Sequence, residues 1–243
     1  MGRWGPVNGD DNISEFVRIM DAAGVDRACI NCIFFGDHRI CNDRVARFVS
    51  EYPDRFIGAA FVTPHYPEEA IQELERAFDV LQMKFLKLYA PYFYLPIDDP
   101  AYMPIFEWAN DRGVVIMSHC SFDLEGGDTL TAPWRFDDLA ERFSNIQWVL
   151  AHSGFSPAGE VRAIQVARAH PNIFLETATS RDAHGTIEHL VEGVGEDRVL
   201  YGSDMPIFDA RQQVGRIVTS QISEEAKRKI LGLNAIKLLG LET

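Results

Sequence analysis

Short, almost unbroken apolar runs alternate along this chain with stretches whose apolar residues return every three or four positions. The first pattern reads as strands buried on both faces, the second as amphipathic helices laid over them. Strands are predicted over residues 25–35, 56–62, 83–89, 114–119, 146–152, 173–177 and 199–202. Helices are predicted over 13–23, 43–52, 67–81, 103–112, 136–143, 161–170, 186–193 and 223–239, the last broken near Gly232. The spacing of roughly 30 residues is that of one βα unit. Seven strands and eight outer helices then form an α/β, TIM (β/α)8-type barrel whose first strand is missing, because a helix precedes the first predicted strand. Without another strand ahead of Met1, the barrel has a seam flanked by unpaired backbone.

Boundary residues support these assignments. Pro67 with Glu68 and Glu69 suits a helix start, since proline needs no amide partner there and the carboxylates face the positive end of the dipole. Ser223 with Glu224 and Glu225 opens the last helix in the same manner. The stretch 123–133 reads as a loop, and nothing along residues 1–243 marks a linker, so one domain is expected.

Composition narrows the function classes. Hydrophobic residues make up 47% of the 243 and charged residues 24%, the balance of a soluble globular protein. No apolar run approaches the roughly 20 residues of a membrane span, and the first residues do not read as a secretion signal, so cytoplasm is the expected location. A net charge of -13 with scattered Lys and Arg argues against nucleic-acid and membrane-surface partners and for a small-molecule substrate. Cys29 and Cys32 form a C-x-x-C, but three positions apart on a strand they face opposite sides, which favours structural thiols over a metal or redox pair. Cys120 is expected to point away from the barrel axis for the same reason.

The chemistry gathers where apolar runs end. His119 closes VVIMSH, His152 closes IQWVLAH and Asp204 closes VLYGSD. Two imidazoles and a carboxylate at the carboxyl ends of parallel strands are the parts of a metal or proton-transfer site. Each alone has an ordinary alternative: a satisfied core histidine, or a turn aspartate. Asp204 weighs most, since a carboxylate buried after a strand is costly unless paired or metal-bound. Lys87 shares a strand face with Phe85 and Tyr89; pointing inward, it is a buried cation that serves as counter-ion to a substrate carboxylate, as a carbamylated metal bridge or as the partner of Glu176. His38 and His65 are weaker rim candidates, His170, His184 and His189 read as surface or capping residues, and Tyr92, Phe93, Tyr94, Phe122 and Trp134 could wall a pocket.

The ordered combination YPDRFIGAAFVTP, KFLKLYAP, DDPAYMPIFEWANDRGVVIMSHC, VLAHSG and YGSDMP resembles the amidohydrolase superfamily, in the branch of aminocarboxymuconate-semialdehyde decarboxylase and related decarboxylases, hydratases and lactonases. The resemblance implies one divalent metal, usually zinc, with His119 and Asp204 as ligands and His152 as acid/base or as the group that orients the reacting water. It also implies an H-x-H pair on the first barrel strand, and no H-x-H occurs in this chain. A strand of that form is expected upstream, running into Gly2, Arg3 and Trp4. The leading expectation is a metal-dependent hydrolase of a small carboxylated substrate, with His152 and Asp204 handling protons and Lys87 or Arg181 holding the carboxylate. A decarboxylase using the same site is the first alternative. A metal-free, non-catalytic ligand-binding relative is the second, with a homo-oligomer in which a second chain fills the seam as its variant.

Overall fold

The computed structural model describes residues 13–33, 37–124, 126, 129–179 and 184–241. Seven parallel strands follow one another in sheet order as in sequence: β1 (Ala28–Ile30), β2 (Phe56–Phe61), β3 (Phe85–Leu88), β4 (Val115–Phe122), β5 (Gln147–Phe155), β6 (Ile173–Glu176) and β7 (Val199–Leu200). Each pairs with its neighbour, and among the described residues β1 and β7 are the two edges. Over the described residues the sheet is therefore a TIM-type barrel with an open seam.

Strand alternation splits the apolar residues into two layers. Ala59, Phe85, Val115, Val149 and Leu200 face the barrel interior. Their sequence neighbours Ala60, Leu86, Ile116, Leu150 and Val199 face the helices and join the larger core with Trp148, Phe106 and Cys120. Cys120 thus points away from the axis, as expected. With both faces covered, β2 and β3 are buried along their whole length, which is why β2 reads as an unbroken apolar run and β3 as one interrupted only by Lys87. Ala235, Leu238 and Leu239 of the last helix pack against the interior cluster.

The helices are α1 (Ile13–Ala23), α2 (His38–Glu51), α3 (Pro67–Glu75), α4 (Met103–Arg112), α5 (Phe136–Arg142), α6 (Pro157–Ala169), α7 (Thr186–Val194), α8 (Ala210–Val218), α9 (Glu224–Arg228) and α10 (Asn234–Leu238). A π-helical turn, Lys229–Leu233, joins α9 to α10 and contains Gly232, where the sequence predicts a break. Helix α2 starts earlier than periodicity suggests because the Asp37 side chain accepts from the Arg39 amide. Ser156 caps α6 in the same way, with Pro157 in its first turn. Helix α8, capped by Asp209, is additional to the eight expected; its short, strongly polar run gives little apolar signal.

Two expectations change here. Residues 34–35, the end of the first predicted strand, and residues 1–12, into which an upstream strand would run, lie outside the described residues. Cys32 falls beyond β1, so strand alternation does not govern it. Its thiol instead meets Cys41, and that hydrogen bond together with burial raises its pKa.

Candidate active site

The polar residues of the strand ends form a layer above the interior cluster. Strand β3 alternates Phe85 inward, Leu86 outward and Lys87 inward. Lys87 is only 6% exposed, yet among the described residues its ammonium makes no ion pair within 4.0 Å. Burial lowers its pKa, while Glu176 and Asp204, within electrostatic range, oppose that shift. The expected Lys87–Glu176 ion pair is therefore not a direct one.

His119 sits opposite Ala151 in the β4–β5 register, and the two strands continue past it, to Phe122 and Phe155, through an irregularity between His119 and Ser121. Neither His119 nor His152 ends its strand, contrary to expectation, because this further pairing carries both beyond the histidines. The His119 ring lies 4.7 Å from that of Tyr89 and 4.9 Å from that of His152, centroid to centroid. Its Nδ1 is buried and has no hydrogen-bond partner among the described residues. Burial, the neighbouring His152 and the Lys87 charge together hold its pKa well below the ordinary histidine value, which keeps the ring neutral near pH 7.

His152 begins a strained turn. His152, Ser153 and Phe155 have φ of 68°, 46° and 67°, the left-handed region that costs non-glycine residues about 1–3 kcal/mol each and persists only when surroundings enforce it. What enforces it is visible. The His152 amide donates to Glu176 Oε2 at 2.9 Å, the Ser153 hydroxyl donates to the Glu176 main-chain oxygen at 2.8 Å, and His152 Nδ1 lies 2.8 Å from the Ala178 carbonyl. Gly154 lets this turn press against the start of α6, where a Cβ would overlap the Gly159 backbone. A cavity of about 260 Å³ opens beside His152, lined in part by Glu176, Thr177, Thr179 and Thr186.

Asp204 departs most from expectation. It is exposed rather than buried, at φ 51°, and its main-chain oxygen accepts from the Ile207 amide at 2.9 Å in a tight turn. Among the described residues, edge strand β7 has no neighbour on its far side to cover Asp204, so the cost of burial does not require a partner here. Its charge is nonetheless felt at Lys87. Arg181 lies outside the described residues. Phe93 stacks on Phe61 with His65 edge-on, and Trp134 meets Phe122, so these rim aromatics pack on one another. Glu176 is the residue whose importance the sequence understated: a buried carboxylate directly after FL was visible, but not that it receives the backbone of another strand.

The amidohydrolase family model matches residues 36–241. The chain belongs to the amidohydrolase family. A 2-amino-3-carboxymuconate-6-semialdehyde decarboxylase of Dictyostelium discoideum is 26% identical over 236 aligned positions covering 83% of this chain. This chain spans 66% of that relative's length. Among solved structures, the 5-carboxyvanillate decarboxylase of Sphingomonas paucimobilis superposes with a TM-score of 0.76 at 23% identity, covering 94% of this amidohydrolase chain and 83% of its own. The 5-carboxyvanillate decarboxylase of Novosphingobium aromaticivorans, solved with manganese and 4-hydroxy-3-methoxy-5-nitrobenzoic acid, gives 0.77 at 21%, covering 93% and 80%. These likenesses fix the fold.

The donor set can be tested against the divalent metal that the resemblance implies. Among the described residues, no group of three or more His, Cys, Asp or Glu side chains could hold a metal ion. A catalytic zinc takes three protein ligands. The residues described therefore do not by themselves make up a metal site.

Proposed function

We propose that this amidohydrolase-family chain is a carboxy-lyase that removes CO₂ from a small conjugated or aromatic carboxylic acid. The observation that carries this reading is an imidazole fixed at Nδ1, His152, together with a buried ammonium, Lys87, that has no direct counter-ion among the described residues. Decarboxylase relatives favour this reading over hydrolysis, which was the leading expectation from sequence.

Breaking the C–CO₂⁻ bond leaves an electron pair on carbon, and a conjugated substrate spreads it onto a ring or enolate oxygen. A desolvated cation beside that oxygen stabilises the charge as it develops, and Lys87 is such a cation. The carbon must then receive one proton. With His152 Nδ1–H donated to the Ala178 carbonyl, Nε2 is bare in the neutral ring; it takes a proton from solvent, passes that proton to the carbon and returns to the bare state. Neutral His119, packed against His152, adds no charge that would hinder protonation of that ring. Asp204 and Glu176 balance Lys87 without quenching it by direct contact. A small-molecule substrate, Arg181 as a second carboxylate contact and activation by an added divalent metal belong to this same reading.

The test is CO₂ release from carboxymuconate-type and hydroxybenzoate-type acids, with and without added Mn²⁺ or Zn²⁺. In D₂O the product should carry one deuterium at the vacated carbon, and His152→Asn should slow its formation by about 10²-fold or more. Ester, lactone or amide cleavage without CO₂ would return the assignment to hydrolysis. Binding of these acids without turnover under any metal condition would favour the ligand-binding alternative.

A further inference from the structure

Glu176 is 4% exposed, and its two carboxylate oxygens are used for backbone rather than for chemistry. Oε2 accepts from the His152 amide at 2.9 Å, and Oε1 accepts from the Ala178 amide at 2.9 Å. The first bond crosses from β6 to β5 and holds His152 in the left-handed conformation at φ 68°. The second anchors the amide of Ala178, the residue whose own carbonyl faces His152 Nδ1 at 2.8 Å. A carbonyl oxygen can only accept, so Nδ1 carries the proton and Nε2 of the neutral ring is bare. One buried carboxylate thus constrains both the main chain of His152 and, through Ala178, the tautomer of its ring.

Gly202 completes the device from a third segment. A Cβ at that position would overlap Glu176 Oε1, so the glycine in YGSD leaves room for the carboxylate. The Gly202 amide faces Thr177 Oγ1 at 3.3 Å, which registers the two segments. VLAHSG, FLETA and YGSD, separate in sequence, interlock around one carboxylate.

We infer that Glu176 is the positioning residue of the site: with Gly202 as its steric complement, it sets the backbone and the Nδ1–H tautomer of His152 so that Nε2 faces the substrate. The role in turnover rests on the carboxy-lyase reading; the tautomer does not. Glutamate is required because two N–H donors converge on two oxygens. The isosteric amide of Glu176→Gln offers one oxygen and turns an NH₂ toward one of the donors, leaving both buried groups without an acceptor.

The experiment is ¹⁵N NMR of the histidine rings of the full chain, with the His152 signals assigned by their loss in His152→Asn. Wild type should show Nδ1 protonated and Nε2 bare. Glu176→Gln and Gly202→Ala, which approach the same carboxylate from opposite sides, should both give a mixed tautomer with the far-ultraviolet circular dichroism spectrum unchanged. Gly24→Ala, at φ 69° with no atom within 4 Å of the added carbon, controls for backbone strain alone and should leave the tautomer as in wild type. In turnover, the two site variants should lower kcat by about 10- to 100-fold with KM within about twofold, as residues that orient an acid/base group do. A folded Glu176→Gln with an unchanged His152 tautomer overturns the inference. So does a wild-type ring protonated at Nε2, which decides the matter even if neither variant folds. If no carboxylic acid is turned over but the tautomers behave as stated, the carboxy-lyase reading fails while the positioning role stands.

Discussion

The arc from β4 to β6 and the seam between β7 and β1 are built from the same kind of strand and differ in how much holds them. Strands β4 and β5 run eight and nine residues, paired from Val115 and Gln147 to Phe122 and Phe155, whereas β1 has three residues and β7 two. In the arc, His152 is fixed at its amide and at Nδ1, and Ser153 at its hydroxyl. At the seam, Asp204 is exposed and its side chain makes no hydrogen bond among the described residues. The half of the site that carries His119 and His152 is thus preorganised by continuous backbone pairing. The carboxylate contributed by the last strand hangs from an edge too short to fix it.

The largest expected effect falls on the arc. His152→Asn should lower kcat by about 10²- to 10⁴-fold, the range for removing a general acid, with KM little changed because Lys87 still holds the substrate. A loss below about threefold, measured under the conditions that support CO₂ release, would show that the well-held imidazole is scaffold. Next come changes to what holds the arc. Trp148 is fully buried between Phe106 and Phe136, and Trp148→Ala should cost about 3–5 kcal/mol, or roughly 6–20 °C in Tm. Gly154→Ala should be comparably severe, at least about 3 kcal/mol, because the added methyl meets the Gly159 backbone at a φ of 88°. A Gly154→Ala melting curve matching wild type would mean that the turn below His152 is not locked against α6.

How far the sequence carried the site follows from the same contrast. All seven strands were readable, because burial on both faces leaves an apolar run that needs no partner to recognise, and Lys87 and His119 stood out as polar interruptions of such runs. Helix starts were harder. Those of α2 and α6 depend on Asp37 and Ser156, single capping residues that precede any periodic apolar signal. Helix α8 has almost no sequence signal, since its buried residues are only Ala210, Gln213 and Ile217. The place of Asp204 after VLYGS implies burial, yet the residue is exposed, because among the described residues β7 is an edge strand. Glu176 was noticed as a partner for Lys87, but its real partners are backbone amides, which carry no sequence signature.

Hydrogen exchange would sharpen the contrast at smaller amplitude. Amides of Ile116, Met117, Val149 and Leu150, deep in paired strands, should exchange only through global opening, while those of β1 and β7 should exchange through local fraying, about 100-fold faster or more. Equal protection across β1, β4 and β5 would mean that the seam is held as firmly as the arc.

The smallest effect is expected at Asp204 itself. Asn tolerates the left-handed backbone about as well as Asp, and the main-chain oxygen that anchors the turn to Ile207 is untouched by the change. With an exposed side chain that makes no hydrogen bond among the described residues, Asp204→Asn should alter unfolding free energy by no more than about 0.5 kcal/mol in chemical denaturation. A buried, paired carboxylate would lose several times that. If Asp204→Asn destabilised the protein by about 2 kcal/mol or more, the carboxylate would have to be engaged in solution, and the edge beside β7 would have to be covered there.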